Sequence, residues 1–123
     1  MRDVIFVGSS LKDLRDFPTE ARREAGFALK SVQFGEKPAN AKPLKGFGGA
    51  SVQEIVADDE GGAFRVVYTV TLPDAVYVLH AFQKKAKHGI ATTKQDLDLI
   101  RQRLRDAQRR SSEQMRAREE RRP

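Results

Sequence analysis

Two apolar stretches separated by three residues constrain the fold of this chain more than any other feature. They cover residues 63–71 and 75–82, and both are rich in valine and aromatic residues, which favour strands. Leu72-Pro73-Asp74 between them is typical of a tight turn. A third apolar stretch, 51–57, precedes them and is followed by the glycine-containing turn 58–62. The three stretches are therefore predicted to form a three-stranded antiparallel meander.

The first third of the chain is predicted to contain one strand and two helices. The strand is Val4–Val7, and a short helix near Ser10–Asp16 follows because Ser9 and Asp13 resemble a capping pair. A second helix is predicted from Pro18 to Phe34. Small and aliphatic residues recur there at helical spacing and form one apolar stripe: Ala21, Ala25, Ala28, Leu29 and Val32. The two helices are expected to form an antiparallel hairpin.

The end of the chain is predicted to be a third helix, which begins at the capping residues Thr93 and Asp96. Its apolar residues lie on one face and are expected to pack on the sheet: Leu97, Ile100, Leu104 and Ala107. The Arg-rich segment 109–123 is predicted to be a helix extension or disordered. Residues 35–50, which contain several prolines and glycines, are predicted to be a loop. This order of elements predicts a single α+β domain over residues 1–108.

The composition excludes several classes of site. The chain has 123 residues and no cysteine, so neither a disulfide framework nor a thiolate metal site is available. His80 and His88 have no companion ligands nearby, so no metal site and no cofactor are predicted. No apolar run reaches the length that spans a membrane, and the N-terminal run is too short for a secretory signal. We expect a cytoplasmic protein of one domain.

Positive charge is concentrated at the end of the chain. Residues 1–83 hold 10 Lys and Arg against 11 Asp and Glu, whereas residues 84–123 hold 13 against 6. The whole excess of the net +6 charge therefore follows the last predicted strand. A one-sided basic field attracts polyanions, although Arg-rich helix surfaces also serve solubility alone.

Alternation along the third predicted strand separates Arg65 from its apolar neighbours. Arg65, Val67 and Thr69 share one face, and the other face carries Phe64, Val66, Tyr68 and Val70. An unpaired buried arginine is costly, so Arg65 is expected either to open onto a solvated groove or to meet a carboxylate. Glu54 is a candidate partner. In a groove, the guanidinium is suited to gripping a phosphate.

Other side chains near the strand ends are suited to RNA. Histidine has an ordinary pKa of about 6.5, which would suit His80 to proton transfer, although a single histidine at a strand end more often has a structural role. Tyr68 and Phe82 are suited to stacking on bases and are equally typical of a core. Four lysines are candidates for binding phosphates: Lys45, Lys84, Lys85 and Lys87.

Five spaced motifs resemble those of the phage-derived HigB-like toxins, in the same order along the chain. The motifs are Pro43-Leu44-Lys45-Gly46-Phe47, Val52-Gln53-Glu54-Ile55, Phe64-Arg65-Val66-Val67-Tyr68, Leu79-His80-Ala81-Phe82-Gln83-Lys84-Lys85, and Thr92-Thr93-Lys94 through Ile100. The resemblance covers about residues 1–108. These toxins belong to the RelE/ParE superfamily of bacterial type II toxin–antitoxin systems. The resemblance implies their fold, with a strand, a two-helix hairpin, a three-stranded meander and a C-terminal helix.

The resemblance also implies a ribosome-dependent endoribonuclease that cuts mRNA without a metal ion. By position, Arg65 is assigned to transition-state charge, His80 to proton transfer and Lys84 to catalysis. RNA and ribosome contacts are assigned to Lys45, Tyr68, Phe82, Lys85 and Lys87. The implied partners are the ribosome with its mRNA and a helix-turn-helix antitoxin of the HigA-like type. The Arg-rich tail has no clear counterpart in the family.

Two other functions remain open from the sequence. One is inhibition of DNA gyrase, as in the ParE branch, which acts by binding rather than by cleavage. The other is a non-catalytic basic module that binds nucleic acid or only its antitoxin, such as a decayed toxin.

Overall fold

The computed structural model describes residues 1–48, 51–84 and 91–123, and it has a five-stranded sheet with helices on both faces. The strands are β1 (Asp3–Phe6), β2 (Ala41–Pro43), β3 (Gln53–Val56), β4 (Ala63–Thr69) and β5 (Ala75–Lys84). The helices are α1 (Ser10–Arg15), α2 (Thr19–Gln33) and α3 (Lys94–Glu120). The predicted α+β class is confirmed.

The strand order in the sheet is β1-β5-β4-β3-β2. The antiparallel pairs β3–β4 and β4–β5 confirm the predicted meander, and β1 lies parallel to β5 at one edge. The prediction of loop throughout residues 35–50 is wrong for Ala41–Pro43, which form β2 against β3. An edge strand tolerates Pro43 because one side of it needs no backbone donor.

Helices α1 and α2 cover one face of the sheet with an apolar core. The predicted stripe on α2 is buried there against strand residues that include Ile55, Val66 and Val78. The first helical residue of α2 is Thr19, with Pro18 immediately before the helix. Gly35 follows the helix with a φ of 84°, a left-handed conformation that glycine adopts without strain. We call this side of the sheet the α1/α2 face.

Helix α3 covers the opposite side of the sheet, which we call the α3 face. Its predicted apolar residues pack there with strand residues that include Val52, Val67 and Tyr77. Thr93 caps the helix as predicted, since the Asp96 backbone N–H donates to the Thr93 Oγ1 at 3.1 Å. Within the described residues, none of the helices is both long and apolar enough to cross a bilayer.

A β-bulge in β5 changes which face His80 occupies. Val67 pairs with His80 and Tyr68 pairs with Val78, so Leu79 is an extra residue in β5. Leu79 and His80 therefore both lie on the α3 face, where Leu79 joins the core and His80 reaches the start of α3. Simple alternation from Val78 and Leu79 would have placed His80 on the α1/α2 face.

Helix α3 continues to Glu120 and so includes most of the Arg-rich segment. A hydrogen-bonded group fixes its second half to the sheet, because the Ser111 hydroxyl donates to Asp74 at 2.5 Å and the Tyr77 hydroxyl donates to the same carboxylate at 2.7 Å. Burial and the Asp74 charge together raise the pKa of Tyr77 to about 12. Burial alone would raise the pKa of Asp74, but the hydrogen bonds from Ser111 and Tyr77, a backbone hydrogen bond and the charge of Arg118 together lower that pKa.

Candidate nucleic-acid site

A cationic cleft lies on the α3 face, between the β2–β3 edge of the sheet and the start of α3. Its volume is about 480 Å³. It is lined by Lys42, Pro43, Leu44, Lys45, Glu54, Lys84, Ala91, Thr92 and Leu97. Among the described residues, three ammonium groups therefore share the cleft with one carboxylate. Such a concentration of positive charge in a concave site favours an anionic ligand.

The strands place these charged side chains at the cleft. Lys42 on β2 lies directly opposite Glu54 on β3, so both point to the α3 face. Lys45 follows β2 in the turn before the next strand, and Lys84 is the last residue of β5. Lys42 and Lys45 are exposed and Lys84 is half-buried, whereas Glu54 is 3% exposed. The carboxylate thus forms part of the cleft floor, with more exposed cationic side chains around it.

Arg65 lies beneath this floor in a buried ion-pair group. Its Nε donates to the Glu54 Oε1 at 2.9 Å and its Nη1 donates to the Asp58 Oδ1 at 2.5 Å. Arg65 is only 2% exposed and is not among the lining residues of the cleft. Of the two alternatives drawn from the sequence, the carboxylate partner is therefore the observed one. Through Glu54, which it holds in place, Arg65 is connected to the cleft.

His80 is buried beside the start of α3 rather than in the cleft. Its Nε2 lies 2.8 Å from the Asp96 Oδ1, and the Thr93 hydroxyl donates to the other Asp96 oxygen at 2.8 Å. The Nδ1 is buried and has no hydrogen-bond partner among the described residues. His80 is 6% exposed and does not line the cleft. The arrangement fixes the first turn of α3, with its cap, to the end of β5.

The two predicted base-stacking residues have different positions. Phe82 is half-buried on the α3 face and stacks on His80, with ring centroids 4.5 Å apart. Tyr68 is 2% exposed in the core of the α1/α2 face. Of the two roles considered for Tyr68, the core role is therefore the one observed in this conformation, because its ring is enclosed on the side of the sheet away from the cleft. Burial also raises the pKa of Tyr68.

The structure thus brings Lys45 and Lys84 together, and it adds two residues that the sequence did not place in the site. Glu54 was predicted only as a partner of Arg65, and Lys42 lies in a segment predicted to be loop. Recognition of β2 was the missing step, since its pairing with β3 sets Lys42 opposite Glu54. Lys85 and Lys87, predicted to bind RNA, lie outside the described residues. The described residues contain no group of three His, Asp or Glu side chains that could share a metal ion.

Comparison with known proteins gives a family. No curated protein matches the chain. Residues 12–105 match the family described as phage derived protein Gp49-like (DUF891). The match extends from α1 into α3 and includes the described residues that line the cleft. The chain therefore belongs to the Gp49-like family of phage-derived proteins.

Proposed function

We propose that this protein is the toxin of a type II toxin–antitoxin system and that it cleaves mRNA on the ribosome. The observation that carries the proposal is the cleft, whose described lining residues include three lysines and one buried carboxylate. Membership of a phage-derived family supports the same function, as does the resemblance of the motifs to those of HigB-like toxins. A cytoplasmic location follows from the proposed substrate.

The proposed reaction is attack of an RNA 2′-hydroxyl on the adjacent phosphate. The 2′ oxygen forms a new bond to phosphorus, the bond to the 5′ oxygen breaks, and the products are a 2′,3′-cyclic phosphate and a 5′-hydroxyl. One proton leaves the 2′-hydroxyl and one is delivered to the 5′ oxygen. In-line positioning and stabilisation of the extra negative charge on phosphorus are the main requirements of this reaction.

The cleft residues fit these requirements. Lys45 and Lys84 are positioned to contact the phosphate oxygens, where an ammonium stabilises the added charge. Among the described residues that line the cleft, Glu54 carries the single carboxylate, so we assign it the role of accepting the proton of the 2′-hydroxyl. Lys84 is half-buried, whereas Lys42 and Lys45 are exposed. We assign Lys84 the role of donating a proton to the leaving 5′ oxygen. This assignment replaces the predicted proton-transfer role of His80.

Arg65 and His80 act as positioning residues in this proposal. Arg65 holds the carboxylate of Glu54 from below through the 2.9 Å hydrogen bond. His80 binds Asp96 and thereby fixes the first turn of α3, which carries the cleft residue Leu97. Loss of either side chain is expected to disturb the cleft without removing a group that touches the substrate.

The proposed partners are the ribosome with its mRNA and a helix-turn-helix antitoxin. The cleft opens at the surface beside exposed lysines, as binding to ribosome-held mRNA requires. An antitoxin would neutralise the toxin, and its gene is expected beside that of this chain. Expression of the two genes together should restore growth and yield a complex that copurifies.

Primer extension on mRNA from cells that express the chain tests the proposed function. We expect new 5′ ends at fixed codon positions within minutes of induction, and we expect the Lys84→Gln variant to lack them. Growth arrest with intact transcripts would contradict the proposal. A supercoiling assay then separates the alternatives, since inhibited gyrase indicates a ParE-like toxin and active gyrase a non-catalytic binding module.

A further inference from the structure

Four arginines on α3 form a stripe that faces away from the core. Arg101, Arg105, Arg109 and Arg116 fall within about 80° of one another around the helix, at 100° per residue. The buried residues Ile100, Ala107 and Ser111 lie on the opposite side. We call these four residues the arginine stripe. At 1.5 Å per residue, the stripe is about 22 Å long.

The stripe begins at the wall of the cleft. The Arg101 guanidinium lies 5.2 Å from the centre of the Phe47 ring, a cation–π contact with the turn that also carries Lys45. Leu97, one helical turn before Arg101, lines the cleft itself. A nucleic-acid strand that leaves the cleft over this turn would therefore meet Arg101 first and then Arg105 and Arg109. These arginines follow one another at steps of about 6 Å along the axis of α3.

Packing does not account for the length of α3. Ser111 is the last buried residue of the helix, yet the helix continues for nine more residues to Glu120. The bond from Ser111 to Asp74 anchors the helix at this point, so the stripe keeps a fixed position relative to the cleft. The family match ends at residue 105, before Arg109 and Arg116. The outer half of the stripe thus belongs to the part of this chain that the match does not cover.

The partners of these arginines are weak competitors for a phosphate. Arg101 pairs with Asp98 and Arg109 pairs with Asp106, each at 3.3 Å and each on the exposed helix surface. Exposed pairs of this kind contribute little free energy and are screened by salt. A phosphate that accepts two hydrogen bonds from a guanidinium binds more strongly.

We propose that the arginine stripe binds the backbone of the RNA strand whose scissile phosphate occupies the cleft. This inference rests on the proposed function, because it extends the path of the same substrate. The stripe contacts phosphates and not base edges, so it adds affinity without sequence preference. The arginine stripe gives this protein contacts with RNA outside the residues that match the family.

The test is binding of the full chain to a short single-stranded 2′-O-methyl RNA, measured by fluorescence anisotropy at several salt concentrations. The probe has no free 2′-hydroxyl and cannot be cut by the proposed reaction. We compare the wild type with the triple variant Arg105→Gln, Arg109→Gln and Arg116→Gln. The matched control changes three exposed arginines on α1 and α2 and removes the same charge: Arg15→Gln, Arg22→Gln and Arg23→Gln.

Loss of three phosphate contacts should lower the slope of log Kd against log salt by about 2 and weaken binding about 10- to 100-fold near 0.1 M salt. The control should stay within about threefold of the wild type. Equal losses in the stripe variant and the control overturn the inference, as does a wild type that does not bind the probe. Glutamine preserves helix propensity, and the single variant Arg116→Glu, beyond the last buried residue, provides a second check.

This outcome is separate from that of the proposed function. A chain that binds the probe through the stripe but leaves mRNA intact contradicts only the cleavage proposal. A chain that cleaves mRNA while the stripe variant binds the probe like the wild type contradicts only the inference about the stripe.

Discussion

The two faces of the sheet differ in what they bury. On the α1/α2 face, aliphatic and aromatic side chains from the helices and strands form a nearly apolar core, with Gln53 and Ser10 as its buried polar residues in the described part of the chain. On the α3 face, an apolar core is combined with buried charged or titratable groups, among them Glu54, Arg65 and His80. Buried charges stabilise a fold less than apolar packing of equal volume, so their presence indicates a use other than stability. The cleft lies on this face.

The largest effect that we predict is loss of stability in Arg65→Ala. Removal of the guanidinium leaves Glu54 and Asp58 without their shared cation, and an uncompensated buried charge costs about 3–5 kcal/mol. Urea denaturation measures the difference. The double variant Glu54→Gln, Arg65→Met should recover part of this loss. An Arg65→Ala protein as stable as the wild type would show that the ion pair is not buried as described.

An intermediate effect is predicted for the group that fixes α3. Tyr77→Phe removes a hydrogen bond to Asp74 and should lower the free energy of unfolding by about 1–2 kcal/mol. Because the folded-state pKa of Tyr77 is raised to about 12 from 10, its contribution is complete below pH 10 and is lost as the pH rises toward 12. The wild type should therefore lose more stability than Tyr77→Phe over that interval. Parallel curves for the two proteins across it would contradict the assignment.

Low pH should also weaken the hydrogen-bonded group formed by Asp74, Tyr77 and Ser111. The pKa of Asp74 is lowered in the folded protein, so its contribution is present above its ordinary pKa of 3.8 and is lost as the pH falls below that value. Ser111→Ala removes one of the hydrogen bonds that lower this pKa. The variant should thus be less stable than the wild type at neutral pH, by about 1 kcal/mol, with a smaller difference in acid. Unfolding curves at both pH values measure this, and a difference that grows in acid would speak against it.

The smallest effect is predicted for Tyr68→Phe on the α1/α2 face. The ring remains in the core and only the hydroxyl is lost, so stability should change by less than about 1 kcal/mol. RNA cleavage and RNA binding should stay within about twofold of the wild type, since the residue lies away from the cleft. A large loss of cleavage in a stable Tyr68→Phe protein would place this tyrosine back among the functional residues.

Local patterns in the sequence predicted the elements, whereas non-local pairing determined the site. Alternation in residues 64–69 and the capping pair Thr93 and Asp96 were sufficient for β4 and for the start of α3. Strand β2 has only three residues, too few for a periodic signal, and its pairing with β3 brings Lys42 to the cleft. The bulge at Leu79 depends on the register between β5 and β4. The alternation of residues along β5 therefore does not predict it.

The environment of Arg65 is a second feature that the sequence alone could not predict. Burial and an open groove were both compatible with its place among apolar residues. Arg65 is buried because it pairs with two carboxylates. One is Glu54 on the neighbouring strand β3, and the other is Asp58, which lies beyond the end of β3 in the turn toward β4. Only the folded backbone brings these two carboxylates to one guanidinium.

Cleavage of mRNA on purified translating ribosomes by the double variant Lys45→Gln, Lys84→Gln tests whether the cleft carries the activity. The control variant Lys12→Gln, Lys30→Gln removes the same charge from α1 and α2. We predict that the cleft variant loses cleavage by at least about 100-fold while its unfolding midpoint is unchanged, and that the control cleaves like the wild type. Equal cleavage by the cleft variant and the control would show that the activity does not reside in the cleft.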